Sequence, residues 1–513
     1  MSLQSVMVLL FYPYPLGLEI TMTRSSPDLE DWSIYPRNLC LSAAEVDAKS
    51  YDRRLAQAEK RLFAGESVDF DEGSDVNEDE NVAQVLDLGS VRQDGSRFAK
   101  YTAIKSTSEL TQLFQRTRCS WVFFLHQYDS WGQLRVSAEF MKKLFSFLRV
   151  HPEYLDIVFL FAEKSGPVEQ SFSSLFSHCQ PLSTGNPAAE SVCSYDIGYN
   201  IKYVAAHGRP FPKDPFSVRE TGVYHGYDAA TQQTQWVIIQ ASQELQERTR
   251  EYFAHPQESQ AESQIRIHGT IFQAATQAWR EYLVYLEATF SKMVARGFYS
   301  SLTEPTLDGD FKADFADIRE LQVFTDKLEK LDQVLLRNVD IGRELQSFLG
   351  RAQRHSSSRL APAFEDTASI LQTSILQHRV HSSRIQSLIS RARGCGMLVQ
   401  NILDIRATDT AAKINVRMRE LAEKNARETR SMSIVSLISA IFLPAMFLAT
   451  LFGTNFFDYV EGNIHIASNF WIYIVMAVGM SGCTVLLWLA YQQRRKSKSK
   501  HIQKDIETCA EKV

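Results

Sequence analysis

Residues 431–457 read SMSIVSLISAIFLPAMFLATLFGTNFF, about 27 residues without one charge. After a short acidic loop, residues 466–493 read IASNFWIYIVMAVGMSGCTVLLWLAYQQ, again uncharged. A helix needs roughly 20 apolar residues to cross a hydrocarbon core. The two stretches therefore predict a two-helix transmembrane hairpin over residues 431–493. Lys424, Arg427 and Arg430 precede the first stretch, and Arg494, Arg495, Lys496, Lys498 and Lys500 follow the second. The connecting loop carries Asp458, Glu461 and His465 but neither lysine nor arginine. This bias predicts an integral membrane protein with both termini on the cytoplasmic (or matrix) side and the loop outside. Residues 494–513 then form a basic cytoplasmic tail, a topological anchor that can also touch anionic lipid headgroups.

Upstream of the hairpin the composition is that of a water-soluble protein. The chain has 513 residues, enough for two or three units, with 44% hydrophobic and 22% charged residues and a net charge of −5. Seven cysteines (Cys40, Cys119, Cys179, Cys193, Cys395, Cys483 and Cys509) are scattered without a close CxxC pair. That spacing predicts neither a disulfide framework nor a structural zinc site, and it fits a reducing compartment. Residues 1–99 read as a variable N-terminal region. The apolar run Val6 to Tyr12 lacks a basic flank and is cut off by Pro13 and Pro15, so it predicts an early strand or unstructured leader rather than a signal peptide. Glu66 to Glu80, rich in Asp and Glu, fails the calcium-loop spacing and predicts a solvated acidic loop.

Residues 100–240 mix strand and helix signals and predict a cytoplasmic α/β domain. Trp121 to Leu125 is a compact apolar run suited to a buried strand. Phe140, Leu144, Phe145 and Leu148 recur at helical spacing, and Leu155 to Phe161 is apolar without a decisive period. Tyr195, Ile197, Tyr199, Ile201 and Tyr203 alternate strictly, which predicts a strand with one buried face. Val218 to Tyr227 and Gln235 to Ile239 flank Asp228-Ala229-Ala230-Thr231 as the arms of a hairpin.

Residues 241–430 predict a long-helix bundle and stalk. One stripe runs Phe272, Ala275, Trp279, Leu283, Leu286, Phe290, Val294; another runs Phe315, Ile318, Leu321, Phe324, Leu328, Leu331, Leu335. Both read as helix core. After a serine-rich break near Arg354 to Pro362, a last helix from about Glu365 carries its stripe through Leu371, Ile375, Ile385, Ile389, Val399 and Leu403 into the first span. At about 1.5 Å per residue its soluble part approaches ~100 Å. So long a stripe needs partners, from this chain or from copies of it. The fold class is thus an α+β soluble domain, a long-helix stalk and a C-terminal transmembrane hairpin.

Within the first span and its end lies IFLPAMFLATLFGTNFF, residues 441–457, and upstream lies SVRETGVYHGYD, residues 217–228. With the two-span hairpin and the helix feeding it, these segments resemble the CorA-type divalent-cation transporters, in particular the divergent fungal CorA-like group. The likeness is good over residues 365–500, moderate over 140–240, and absent from the first hundred. That family ends its first span with Gly-Met-Asn; here Gly453 and Asn455 match and Thr454 replaces the methionine. The resemblance implies a homo-oligomer, a pentamer, whose Gly453 and Asn455 line a selectivity filter around one axis. An amide oxygen is neutral and hard, suited to holding hydrated Mg2+, which gives up its water reluctantly. Gly and Asn also favour helix ends, so the tripeptide alone is equally a cap. By offset from Asn455, Met432 and Val435 resemble the family's apolar constriction, which gates by dewetting; facing lipid is their other reading. Asp458 and Glu461 would concentrate cations at the entrance.

Other constellations carry less. His378 and His381, at i and i+3, lack a third ligand at metal spacing and predict a solvated helix face. No phosphate-cradling glycine loop, HExxH helix or nucleophile elbow occurs, which argues against an enzyme, and no cofactor is implied. A basic aromatic surface for nucleic acid is lacking. Two functions fit: a membrane channel passing Mg2+ or a related divalent cation, or a membrane-anchored scaffold or sensor that keeps the hairpin without conducting. Thr454 and the divergent soluble domain favour the second.

Overall fold

A computed structural model describes residues 29–39, 45–63, 83–88, 100–115, 120–164, 172–180, 193–208, 214–229, 231, 233–254, 260–300, 313–451, 457–460 and 463–510. The expectations for Val6 to Tyr12 and Glu66 to Glu80 lie outside these residues. Two compact units emerge, Met1–Asn401 and Ile402–Val513.

The first unit is built on a seven-stranded sheet. Its strands are β1 (Ala83–Asp87), β2 (Lys100–Ile104), β3 (Trp121–Leu125), β4 (Leu175–Gln180), β5 (Ser194–Ala206), β6 (Phe216–Asp228) and β7 (Gln233–Ile239), in the spatial order β2-β1-β3-β7-β6-β5-β4. Among the described strands of the sheet, β3 and β7 pair in parallel and the other ladders are antiparallel. The strand β1 sits between β2 and β3, so part of the segment ahead of residue 100 belongs to the sheet. The helices are α1 (Glu45–Leu62), α2 (Thr107–Gln115), α3 (Ala138–Leu148), α4 (Leu155–Val158), α5 (Gln243–Ala254), α6 (Gln260–Gln277), α7 (Trp279–Phe298), α8 (Phe315–Arg354) and the start of α9 (Ala361–Leu451).

All five residues of β3 are buried, because the sheet has a core on each face. Trp121, Phe123 and Leu125 join Phe140, Leu144 and Tyr154 in one core, while Val122 and Phe124 join Phe272, Leu345 and Phe348 in the other. A strand covered on both faces reads as a continuous apolar run. The apolar segment of undecided period, Leu155 to Phe161, folds as α4 and a 3-10 turn. The expected hairpin forms, with Asp228 opposite Gln233 across β6 and β7.

β5 corrects a sequence expectation. Tyr195, Ile197, Tyr199 and Ile201 are buried as the alternation required, but Asn200 and Lys202 on the opposite face are buried too. Lys202 is 2% exposed. Its ammonium lies 3.2 Å from Glu220, its register partner on β6. Its backbone N–H donates to Asn338 Oδ1 (3.1 Å), and Asn338 Nδ2 donates to its carbonyl (2.7 Å). Burial is tolerated because every one of these polar groups has a partner, and alternation along a strand cannot show partners that come from elsewhere.

Both predicted helical stripes form core, with three exceptions: Val294 and Ile318 are half-buried, and Phe315, the first residue of α8, is exposed. Asp314 caps α8, accepting from the N–H groups of Ala316 and Asp317, while Asp317 accepts from the Asp314 N–H (2.9 Å). After a 3-10 turn at Ser358–Leu360, α9 runs uninterrupted for 91 residues. It starts at Ala361, four residues ahead of its expected start.

The cysteines also depart from expectation. Cys179 and Cys193 form a disulfide with Cα atoms 6.2 Å apart. They are 14 residues apart in sequence, and only the antiparallel pairing of β4 with β5, which sets Gln180 opposite Ser194, brings them together. Cys395 and Cys483 are free.

The second unit holds the remainder of α9, the strands β8 (Phe457–Val460) and β9 (Asn463–Ile466), and α10 (Phe470–Ala510). The connection expected to be a plain loop is thus a short antiparallel ribbon, with Asp458 opposite His465.

Candidate permeation segment

The hairpin's seam interleaves small and large residues at helical spacing. Ser433, Leu437, Ala440, Pro444 and Leu448 are the less exposed positions of α9 in this region, and Phe470, Tyr473, Ala477, Ser481, Thr484, Val485 and Trp488 are those of α10. Each set recurs every three or four residues, so each marks one helix face. Pro444 lacks an N–H and leaves the carbonyl of Ala440 without its helical donor. The Thr484 hydroxyl lies 3.3 Å from that carbonyl and 2.9 Å from Ser481 O in its own helix, and the Ser481 hydroxyl donates to the next carbonyl, Ile441 O (3.3 Å). A proline inside a membrane helix is tolerated where neighbouring hydroxyls re-satisfy the freed backbone. Here α10 brings the Thr484 and Ser481 hydroxyls beside the two carbonyls.

Away from the seam α9 presents two different exposed stripes. Ile434, Ile438, Ile441 and Phe442 lie on one, large apolar side chains with the exposed Ser431 and Ala449 at its two ends. Met432, Val435, Ser439, Leu443, Met446 and Thr450 form the other, with hydroxyls among the apolar groups. Thr450 turns its hydroxyl back onto the helix, donating to Phe447 O (2.7 Å). Met432 and Val435, the residues expected at a constriction, are 72% and 61% exposed and share this second stripe. Asp458 lies on β8. Gly453, Thr454, Asn455 and Glu461 lie outside the described residues.

The helices Ser358–Thr450 and Phe470–Tyr491 are long and apolar enough to cross a membrane, with mean hydropathies of 2.2 and 2.0 over their most apolar windows. Large apolar side chains left exposed over most of both surfaces need a non-aqueous neighbour.

In the first unit several buried polar side chains form hydrogen-bond chains. His225 Nδ1 meets His268 Nε2 at 3.0 Å, His268 Nδ1 meets the Tyr199 hydroxyl at 2.9 Å, and His225 Nε2 meets Thr234 Oγ1 at 2.9 Å. His225 stacks on Trp236 with ring centroids 3.7 Å apart. Burial pushes His225 well below the ordinary histidine range and His268 down to about 3, so both stay neutral. A second chain corrects the expectation of a solvated face at His378 and His381. His378 is buried, its Nε2 3.1 Å from Asn338 Nδ2 and its Nδ1 2.8 Å from Ser374 O, and burial lowers it to about 4. His381 is half-buried. Spacing along α9 could not reveal α8 covering that face.

Comparison with known proteins bears on the first unit. A family model for CorA-like transporters matches residues 28–297, just over half of the chain. No curated protein matches it by sequence. Among solved structures the chain is similar to full-length CmaX, at 11% identity and a TM-score of 0.35, covering 80% of this chain and 97% of that one. It is similar to the CorA magnesium transporter from Methanocaldococcus jannaschii, at 13% identity and a TM-score of 0.31, covering 79% and 96%. The cytoplasmic domain of ZntB from Vibrio parahaemolyticus matches at 10% identity and a TM-score of 0.30, covering 64% and 98%. With a mixed sheet domain, a helix of 91 residues and two apolar spans, this integral membrane protein belongs to the CorA-like transporter family.

Proposed function

We propose that the chain is the subunit of a homo-oligomeric channel, a pentamer, that passes Mg2+ or a related divalent cation down its electrochemical gradient. Both termini lie on the cytoplasmic or matrix side in this reading, as the lysine and arginine placement requires. The observation that carries it is the asymmetry of α9. One exposed stripe is apolar along Ile434, Ile438, Ile441 and Phe442 and suits lipid; the other sets Ser439 and Thr450 among Met432, Val435, Leu443 and Met446 and suits a wetted axis shared by copies. Family membership supports transport in general.

On this reading a hydrated cation meets Asp458 and Glu461, is held by the oxygens of Gly453 and Asn455, and then passes an apolar neck at Met432 and Val435. No covalent step is involved. Thr454, where the family pattern has methionine, gives the filter a shorter, β-branched wall. The test is magnesium flux into proteoliposomes carrying an entrapped Mg2+-sensitive dye, comparing the protein with its Asn455→Ala variant. Channel function requires flux in the parent and its loss, by tenfold or more, in the variant. An assembled oligomer without flux would establish the non-conducting scaffold instead.

A further inference from the structure

Outside the hairpin, three potential metal-ligating side chains converge at the edge of the sheet. His151 is the N-cap of the 3-10 turn Pro152–Tyr154, and Glu153 lies within that turn. His178 comes from β4, the edge strand. One nitrogen from each histidine and one carboxylate oxygen of Glu153 all lie within 4.8 Å of one another. The imidazole centroids are 4.3 Å apart, and Glu153 Oε2 is 3.2 Å from His178 Nε2. Two ligands on one tetrahedral zinc, each bonded at about 2.0–2.1 Å, stand roughly 3.4 Å apart. The Glu153–His178 pair already has that spacing, and His151 has only to close on it.

We infer that His151, Glu153 and His178 form a binding site for a transition-metal dication of the Zn2+ type in the soluble unit, chemically distinct from the oxygen-lined path proposed for the transported ion. Two imidazoles and one carboxylate suit zinc and its neighbours, whereas magnesium takes oxygen ligands in octahedral geometry. All three residues are half-buried, which leaves a route in and a free position for water. Asp196 stands opposite His178 in the β4–β5 ladder and accepts from the Tyr224 hydroxyl at 2.6 Å. Its negative charge bears on both histidine rings, as an outer-shell carboxylate does. His151 Nδ1 accepts only a long 3.3 Å bond from the Glu153 N–H, so reorienting that ring toward a metal gives up little. A bound ion would staple the turn after α3 to the edge strand. The inference does not rest on conduction.

The experiment uses the full-length protein in detergent, stripped with chelator and titrated with Zn2+ by calorimetry, then with Co2+ followed by its visible absorption. The comparison variants are His178→Asn, Glu153→Gln and the double variant His151→Asn/His178→Asn, each checked by circular dichroism for an unchanged fold. The expected result is one equivalent of Zn2+ per chain that is present in the parent, resists millimolar Mg2+, and is weakened at least about tenfold in each single variant. The double variant should lose that equivalent together with its Co2+ band. Unchanged stoichiometry and affinity in folded variants, or equal displacement by Mg2+, would overturn the site and leave the three residues as a local hydrogen-bonded cap. Since the readout is binding rather than flux, a non-conducting protein still tests it.

Discussion

The sheet unit and the hairpin use the same side chains in opposite senses. In the sheet unit Phe123, Phe124, Ile238 and Leu345 are buried, and polar groups such as Asn338, His378 and His225 are drawn inside and partnered. In the hairpin Ile434, Ile438, Ile441 and Phe442 face outward, and the hydroxyls of Ser481 and Thr484 turn toward the α9 backbone. Water drives apolar area out of sight in the first case. In a bilayer that force is absent, and small residues and hydrogen bonds hold helices together. The consequence is energetic: a buried polar bond in the sheet unit is a condition of folding, while one in the hairpin is a modest preference.

The largest expected effect comes from Asn338→Leu. It strands the Lys202 N–H and carbonyl and the His378 ring in a dry interior. Leaving such groups unsatisfied costs about 1–3 kcal/mol each, so a loss of about 3–4 kcal/mol is expected in denaturant titration of the full-length protein. A loss below about 1 kcal/mol would break the comparison at its strongest point.

Acid should separate the two regions next. Burial holds His378 near 4 and His268 near 3, while unfolded histidines titrate near 6.5. Below pH 6.5 the unfolded chain takes up protons that the folded chain refuses, so stability falls as pH drops toward those values. By the bottom of its window His378 alone accounts for on the order of 3 kcal/mol. No histidine occurs in residues 431–457 or 466–493. Hydrogen exchange at pH 7 and pH 4.5 should therefore show protection lost around β5, β6 and α8 and retained in the hairpin, and uniform loss would remove the distinction.

The smallest effect sharpens the hairpin side. Thr484→Val removes the hydroxyl that lies between Ser481 O and the carbonyl freed by Pro444 while keeping the side chain's shape. Interhelical bonds of this kind average about 0.6 kcal/mol, so thermal unfolding in detergent should shift only slightly, far less than for Asn338→Leu. A shift equal to that of the sheet-unit variant would show that the hairpin's polar seam is a folding requirement too.

Legibility in the sequence followed the range of the interactions. The β3 run, the β6–β7 hairpin and the long helix are written in local pattern, since apolar periodicity and length suffice to specify them. The hairpin was equally plain, because an uncharged stretch of that length has few other fates. Other features were not legible. Burial of Lys202 depends on Asn338, 136 residues away in sequence. The Cys179–Cys193 bridge depends on the pairing of β4 with β5. His151 and Glu153 form a short His-x-Glu signal, but His178 reaches them only when β4 takes the sheet edge. That Met432 and Val435 share one exposed stripe of α9 emerges only from the seam with α10.

The sequence by itself determined the division of this chain into a water-facing α+β body and a membrane hairpin, because charge content and apolar run length act locally and need no fold to be read. Tertiary structure alone decided which polar groups are buried with partners, which hydroxyls answer Pro444, and which histidines meet a carboxylate. Those outcomes depend on distances between residues that only chain closure brings within about 3 Å, the range over which hydrogen bonds and metal ligation operate.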